Sequence, residues 1–165
     1  MLFQSAIAED NINFRFSSIG MLAGIISIEG DYYINENLSL TSMYIRYPSQ
    51  SMSTVEHSLS AFGARVNWHF DEYTEDGFLV GIFYRRWSSE SSNSLANGEA
   101  NFNEISALVG YRWMWENFNV TAEAGVRNLT FDGAEFNSTY DAGFLPGEGE
   151  SVTLPMADLS LGWFF

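Results

Sequence analysis

Hydrophobic and polar residues alternate with a period of two along most of the chain. In the clearest stretch, residues 118–131, the first apolar positions are Phe118, Val120, Ala122, Ala124 and Val126, and they alternate with Asn119, Thr121, Glu123, Gly125 and Arg127. Successive side chains of a β-strand point to opposite faces, whereas a helix would scatter these residues around its circumference. The pattern therefore predicts strands with one apolar face and one polar face.

The alternation predicts an all-β fold of eight antiparallel strands. Their predicted spans are 11–22, 24–34, 38–48, 54–70, 77–88, 103–115, 118–132 and 151–165. In the spans 38–48 and 77–88 the alternation does not settle which face is the apolar one. A length of 165 residues fits a single domain over residues 1–165, with 1–10 as a flexible N-terminal segment.

The predicted connections differ between the two ends of the sheet. Short links at 35–37, 71–76 and 116–117 lie at one end, and the long links 88–101 and 133–150 lie at the other. Four tryptophans lie near the short-link end or the C-terminus, namely Trp68, Trp113, Trp115 and Trp163. Short turns at one end, longer loops at the other and a girdle of aromatic rings are typical of an up-and-down transmembrane β-barrel.

The composition indicates that the charged side chains are enclosed. The net charge is −14, all seven cations are arginine, and lysine is absent. Arginine suits enclosed, forked pairing with carboxylates, whereas a solvated surface relies on lysine. The acidic balance argues against nucleic acid as a partner, and the absence of cysteine excludes disulfides. The first residues contain no secretory signal, so an exported protein would here be a mature form with an added Met1.

The glycines indicate which face of the barrel is the inner one. A soluble, lipocalin-like barrel would place the apolar row inside. Glycine, however, recurs on the polar row at positions 63, 110, 125 and 162, as expected of a concave surface on which long arginines need space. The polar row is therefore expected to line the lumen. Its predicted charges are Arg15, Glu29, Asp31, Arg65, Glu104, Arg112, Glu123, Arg127 and Asp158.

The C-terminal sequence LSLGWFF, residues 159–165, ends on an aromatic residue with apolar residues at alternate positions before it. It resembles the C-terminal assembly signal of bacterial outer-membrane β-barrels, and strand number and length resemble the small OmpA and OmpX type over nearly the whole chain. The resemblance implies a Gram-negative outer membrane, with lipid and lipopolysaccharide around the barrel. It also implies insertion by the barrel-assembly machinery, which would recognise Leu159, Leu161, Trp163 and Phe165.

Eight strands enclose a space that side chains nearly fill, so the lumen is expected to hold a plug of paired charges rather than an open porin channel. Glu123 and Arg127 are the first predicted partners. We expect a structural, anchoring or adhesive role, carried by the outer loops 88–101 and 133–150. The second loop has an apolar tip at Phe144, Leu145 and Pro146 that a protein partner could cover. No catalytic activity, cofactor or metal site is expected.

Two alternatives remain open at this point. A lipid A-modifying enzyme would use serine with histidine and an acid, and Glu56, His57, Ser58 and Ser60 are the candidates near the outer end of a strand. Regular strand geometry opposes this, because Glu56 and Ser58 would point away from His57. The other alternative is a narrow conduit for small solutes or apolar molecules. His69 is expected at the interface or in the lumen.

Overall fold

A computed structural model describes residues 11–47, 55–93, 97–136 and 149–165, with side chains described except at 55–57, 91–93, 97–99 and 133–136. Eight antiparallel strands, β1 to β8, form a closed barrel in which each strand pairs with its neighbours along the chain and β1 pairs with β8. The predicted eight-stranded antiparallel barrel is therefore confirmed. The predicted N-terminal segment 1–10 and the apolar tip Phe144, Leu145 and Pro146 lie outside the described residues.

The elements follow the predicted order. They are β1 (Ile12–Ser17), α1 (Ser18–Leu22), β2 (Ile26–Asn35), β3 (Leu38–Tyr47), β4 (Val55–His69), β5 (Gly77–Asn93), β6 (Asn97–Trp115), β7 (Phe118–Phe136) and β8 (Ser151–Phe164). The predicted first strand, 11–22, is wrong in its second half, because α1 begins at Ser18. Ser17 caps this helix by accepting a hydrogen bond from the Gly20 amide at 2.9 Å. No helix among the described residues is long and apolar enough to cross a membrane.

The predicted outer link 88–101 is largely strand. β5 continues to Asn93 and β6 begins at Asn97, with Ser88 opposite Asn101 and Ser92 opposite Asn97. Similarly, β7 extends to Phe136. The residues of this hairpin are mostly small and polar, so they carry little hydrophobic periodicity. The antiparallel ladder nevertheless satisfies their backbone hydrogen-bonding groups. The hairpin therefore projects beyond the apolar part of the barrel.

The two faces of the wall meet opposite surroundings. Large apolar side chains of the outward row are exposed, among them Phe14, Ile28, Phe62, Ile82 and Val109, whereas polar residues of the inward row are buried. Arg15, Arg65, Arg85 and Arg112 therefore lie inside, and the lipocalin-like orientation is excluded. The interior also holds two apolar clusters, Met43 with Leu79, Phe83 and Leu108, and Ile45 with Ala61 and Trp87. β3 and β5 supply most of these side chains, so each of the two strands carries apolar residues on its inward face as well as on its outward face.

Candidate functional site: the barrel interior

The centre of the barrel holds three arginines and three carboxylates. Arg15 lies 2.7 Å from Glu29, 2.8 Å from Asp31 and 3.5 Å from Glu123. Arg65 joins Glu29 and Glu123, at 2.9 Å to each. Arg112 approaches Asp31 at 3.8 Å and donates a hydrogen bond to the Tyr33 hydroxyl. We call Arg15, Glu29, Asp31, Arg65, Arg112 and Glu123 the central ion cluster; its formal charges sum to zero.

The strand register explains how residues distant in sequence meet in this cluster. Arg15 of β1 lies directly opposite Glu29 of β2, while Glu123 comes from β7 and Arg65 from β4, across the lumen. The Asp31 carboxylate also accepts hydrogen bonds from two polar side chains, Thr41 at 2.6 Å and Asn13 at 2.9 Å. Buried charges with several partners each are held in one arrangement, and the removal of any one leaves others uncompensated.

A second ion pair lies towards the outer end. Arg85 contacts Glu104 at 2.9 Å, directly across the ladder between β5 and β6. Glu104, which is fully buried, also accepts hydrogen bonds from the Trp87 indole at 2.6 Å and from Ser106 at 3.0 Å. The sequence interpretation found Glu104 but missed Arg85, since the phase of the fifth strand was ambiguous.

Aromatic side chains close the short-turn end of the lumen. Tyr33 stacks on Tyr73 with ring centroids 4.1 Å apart, and both rings pack against Phe164. His69 lies beside Tyr33, and its Nε2 is 3.0 Å from Ser39 Oγ. This aromatic floor was not predicted, because Tyr33 and Phe164 occupy the row that was interpreted as polar. The sequence predicts His69 either at the interface or in the lumen, and the structure places it in the lumen.

Besides Glu104, two predicted lumen charges lie outside the central ion cluster. Asp158 is half-buried and accepts a hydrogen bond from Ser17 at 2.5 Å. Arg127 is half-buried, and no carboxylate of the described residues lies within 4.0 Å of it. The predicted pair of Arg127 with Glu123 is therefore wrong. Residues i and i+4 of a strand share a face but lie about 13 Å apart, so Glu123 pairs instead across the lumen.

A cavity of about 280 Å³ lies between the central ion cluster and the outer end. Its floor is polar and includes Glu29, Arg65 and Glu123. One wall is apolar, formed by Met43, Ile45, Phe83, Trp87 and Met156. The interior is thus not filled to its outer end. We call this cavity the outer vestibule, and the central ion cluster contributes its floor.

The predicted surface residues lie on the outward row. Trp68, Trp113, Trp115 and Trp163 are all exposed near the short-turn end, and their role as a membrane girdle stays a prediction. Trp163 and Phe165 are exposed and Leu159 and Leu161 are half-buried on the outward row of β8. Their role as an assembly signal stays a prediction.

The residues considered for an enzyme are only partly described. Glu56 and His57 lie in β4, opposite Ser92 and Ser91, but their side chains lie outside the described part of the structure. In the part that is described, no group of three or more histidine or acidic side chains is arranged to hold a metal ion.

A closed antiparallel barrel with an exposed apolar exterior and an ion-paired interior has the fold and polarity of a small transmembrane β-barrel. Two solved structures share this fold. Neisserial surface protein A (NspA) matches with a TM-score of 0.56 and 16% identity over 93% of this chain and 94% of that chain. The N-terminal β-barrel domain of Pseudomonas aeruginosa OprF matches with a TM-score of 0.53 and 17% identity over 93% of this chain and 96% of that chain. Comparison with protein-family models and with curated protein sequences gives no match.

Proposed function

We propose that the protein is an integral barrel of a Gram-negative outer membrane, with a structural, anchoring or partner-binding role and no open channel. The observation that carries this proposal is the polarity of the wall. Phe62, Ile82 and Ile105 are each more than 60% exposed on the outward face, while Arg15 and Arg65 are at most 2% exposed inside. Hydrocarbon around the barrel accounts for both, because a continuous apolar belt of this kind is costly in water.

The expected behaviour in bilayers is folding without steady conductance. The protein refolded into liposomes should migrate differently on a detergent gel before and after boiling. In planar bilayers it should show no stepwise current, because the central ion cluster and the aromatic floor of Tyr33, Tyr73 and Phe164 occupy the cross-section. A 16-stranded porin in the same apparatus is the positive control. Regular current steps from the protein alone, or stable dispersal without detergent, would contradict the proposal.

Two outward arginines support the placement of the outer leaflet. Arg46 on β3 and Arg86 on β5 are exposed, eight positions along their strands from Leu38 and Phe78 respectively. At about 3.3 Å per residue and a strand tilt of about 40°, that distance is about 20 Å along the barrel axis. The arginines thus lie close to the edge of an apolar belt roughly 25 Å tall. In an outer membrane this edge meets the phosphates of lipopolysaccharide, the lipid partner we propose.

Lipopolysaccharide should raise the melting temperature of the detergent-solubilised protein by binding the folded state at these arginines. The variant with Arg46→Gln and Arg86→Gln is expected to lose most of this increase, and lipid A without phosphates should give little increase with either protein. Arg127→Gln, which removes an interior cation, is the matched control and should keep the response. An unchanged increase in the double variant would disprove phosphate binding at this edge.

The partner-binding role is assigned to the outer end, where the strands β5, β6 and β7 project. Replacement of residues 137–148 by a glycine-serine linker should abolish capture of a cell-envelope protein by the immobilised barrel, because it removes the apolar segment around Phe144 and Leu145. A control with Glu72→Gln and Glu75→Gln changes the opposite end. Equal capture by all three proteins would contradict a role for this loop.

A further inference from the structure

The barrel wall has a seam at its outer end, between β8 and α1. The ladder between β1 and β8 stops at Ser17 opposite Ser160, whereas β8 stays paired with β7 up to Ser151. Within the described residues, the outer part of β8 therefore has a strand ladder on one side only. Helix α1 covers the gap, and the Ser18 hydroxyl donates a hydrogen bond to the Leu159 carbonyl at 2.7 Å.

The interior cavity reaches this seam. Both rows of β8 line it, since Met156 and Asp158 belong to the inward row and Pro155 and Ala157 to the outward row. The cavity therefore reaches the part of β8 that has a strand ladder on one side only. Ile19 of α1, which is 48% exposed, lines the same cavity. The vestibule thus lies against the seam between α1 and β8.

Two charged groups that line the cavity, Asp158 and Arg127, have no oppositely charged side chain within 4.0 Å among the described residues. Glu29 and Glu123 are held by Arg15 and Arg65, and Asp158 by the Ser17 hydroxyl. Arg85, which also lines the cavity, is held by Glu104. Arg127 is the one cation of the described cavity lining without a carboxylate within 4.0 Å. Its Nε is buried without a hydrogen-bond partner, as are those of Arg65 and Arg85. It is a cation that an anionic group could reach from the cavity.

The remaining surface of the cavity suits a hydrocarbon chain. Met43, Ile45, Phe83 and Met156 form an apolar wall on the inner side. The volume of about 280 Å³ lies at the lower end for ligand pockets, which begin at about 300 Å³, so it suits a single short chain better than a two-tailed lipid. Apolar contact along the wall and a charge-assisted hydrogen bond at one end are the two features that bind an amphiphilic anion.

We propose that the vestibule binds a single-chain carboxylate amphiphile, a medium-chain fatty acid, with its carboxylate at Arg127 and its chain along Met43, Phe83 and Met156. The ligand enters sideways from the outer leaflet through the seam between α1 and β8. Binding at Arg127 goes beyond the proposed structural role, and only the sideways route rests on the membrane placement.

The test uses the full chain in lipid nanodiscs, where no detergent competes, and decanoate carrying a photoreactive diazirine at the chain end. Mass spectrometry should find adducts on Met43, Phe83 or Met156 that excess decanoate suppresses. Adducts on outward residues such as Ile82 report fatty acid dissolved in the bilayer, and these should not saturate. Arg127→Gln should lower the affinity measured from the interior adducts about tenfold or more, as for loss of a hydrogen bond to a charged group. The exterior variant Arg86→Gln should leave it unchanged.

The outcomes separate the parts of the proposal. The binding proposal would be overturned if interior adducts were absent or were not suppressed by decanoate. The assignment of Arg127 would be overturned if Arg127→Gln bound the probe as well as the original protein, or if the methyl ester of the probe bound equally well. Met156→Trp, which fills the cavity without touching the ions, should abolish interior labelling in a barrel that still shifts on a gel. The chain has no native cysteine, so Ile19→Cys and Ala157→Cys can be cross-linked to slow labelling through the seam. Failure to enter nanodiscs at all would instead count against the proposed membrane function.

Discussion

Replacement of Arg15 by methionine is expected to destabilise the barrel by about 3 to 5 kcal/mol, the usual cost of removing one partner from a buried ion pair. Arg15 is 1% exposed and contacts three carboxylates, Glu29, Asp31 and Glu123. Without it the central ion cluster keeps two arginines against three carboxylates, all of them buried. Unfolding by guanidinium in detergent micelles, followed by tryptophan fluorescence, measures the loss.

A second substitution distinguishes charge balance from loss of packing. Adding Asp31→Asn to Arg15→Met restores two arginines against two carboxylates, so the double variant should be more stable than Arg15→Met alone. Arg86→Met is the control, because it makes the same substitution at an exposed arginine on the exterior. It should change the free energy of unfolding by no more than about 0.5 kcal/mol. If the two interior substitutions are additive in a double-mutant cycle, Arg15 and Asp31 are not coupled and the cluster does not act as a unit.

The orientation of the wall could be predicted because it depends only on alternation. In β7 every second residue from Asn119 to Glu123 is buried, as the sequence pattern required. Alternation does not identify the inward face of a strand where the side chains that line the lumen are also apolar. Met43 and Phe83 face inward while Tyr44 and Ile82 face outward, so the sequences of β3 and β5 contain apolar residues on both faces. Arg85 was consequently missed as a lumen residue.

The partners inside the barrel could not be predicted from one strand at a time. Which strands face each other across a lumen depends on closure and stagger, and these place Arg65 beside Glu123 although 58 positions separate them in sequence. The sequence suggests Arg127 as the partner of Glu123, because both residues lie on the same face of β7. The early end of β1 has two local signals. Ser17 followed by a glycine three positions later fits a capped turn, and the apolar row changes from even to odd positions between Phe16 and Ile19.

Substitution of Gly125 by alanine should destabilise the barrel by about 1 to 3 kcal/mol, the usual range for overpacking. A Cβ atom at Gly125 would overlap the backbone oxygen of Ala107 and lie 2.8 Å from the Cα atom of Leu108. Both obstacles belong to the neighbouring strand β6, so no side-chain rotation can relieve them. The ladder around Leu108 and Gly125 would have to shift.

Gly30→Ala is the matched control, because Gly30 faces outward and its added Cβ would meet Phe14 and Ser42 at an ordinary 3.5 Å. It should change the free energy of unfolding by no more than about 0.5 kcal/mol. The contrast between the two glycines follows from curvature, since the inner surface of a narrow barrel brings neighbouring strands together and the outer surface separates them. Equal stability of the two alanine variants would show that Gly125 is not required for closure of the barrel.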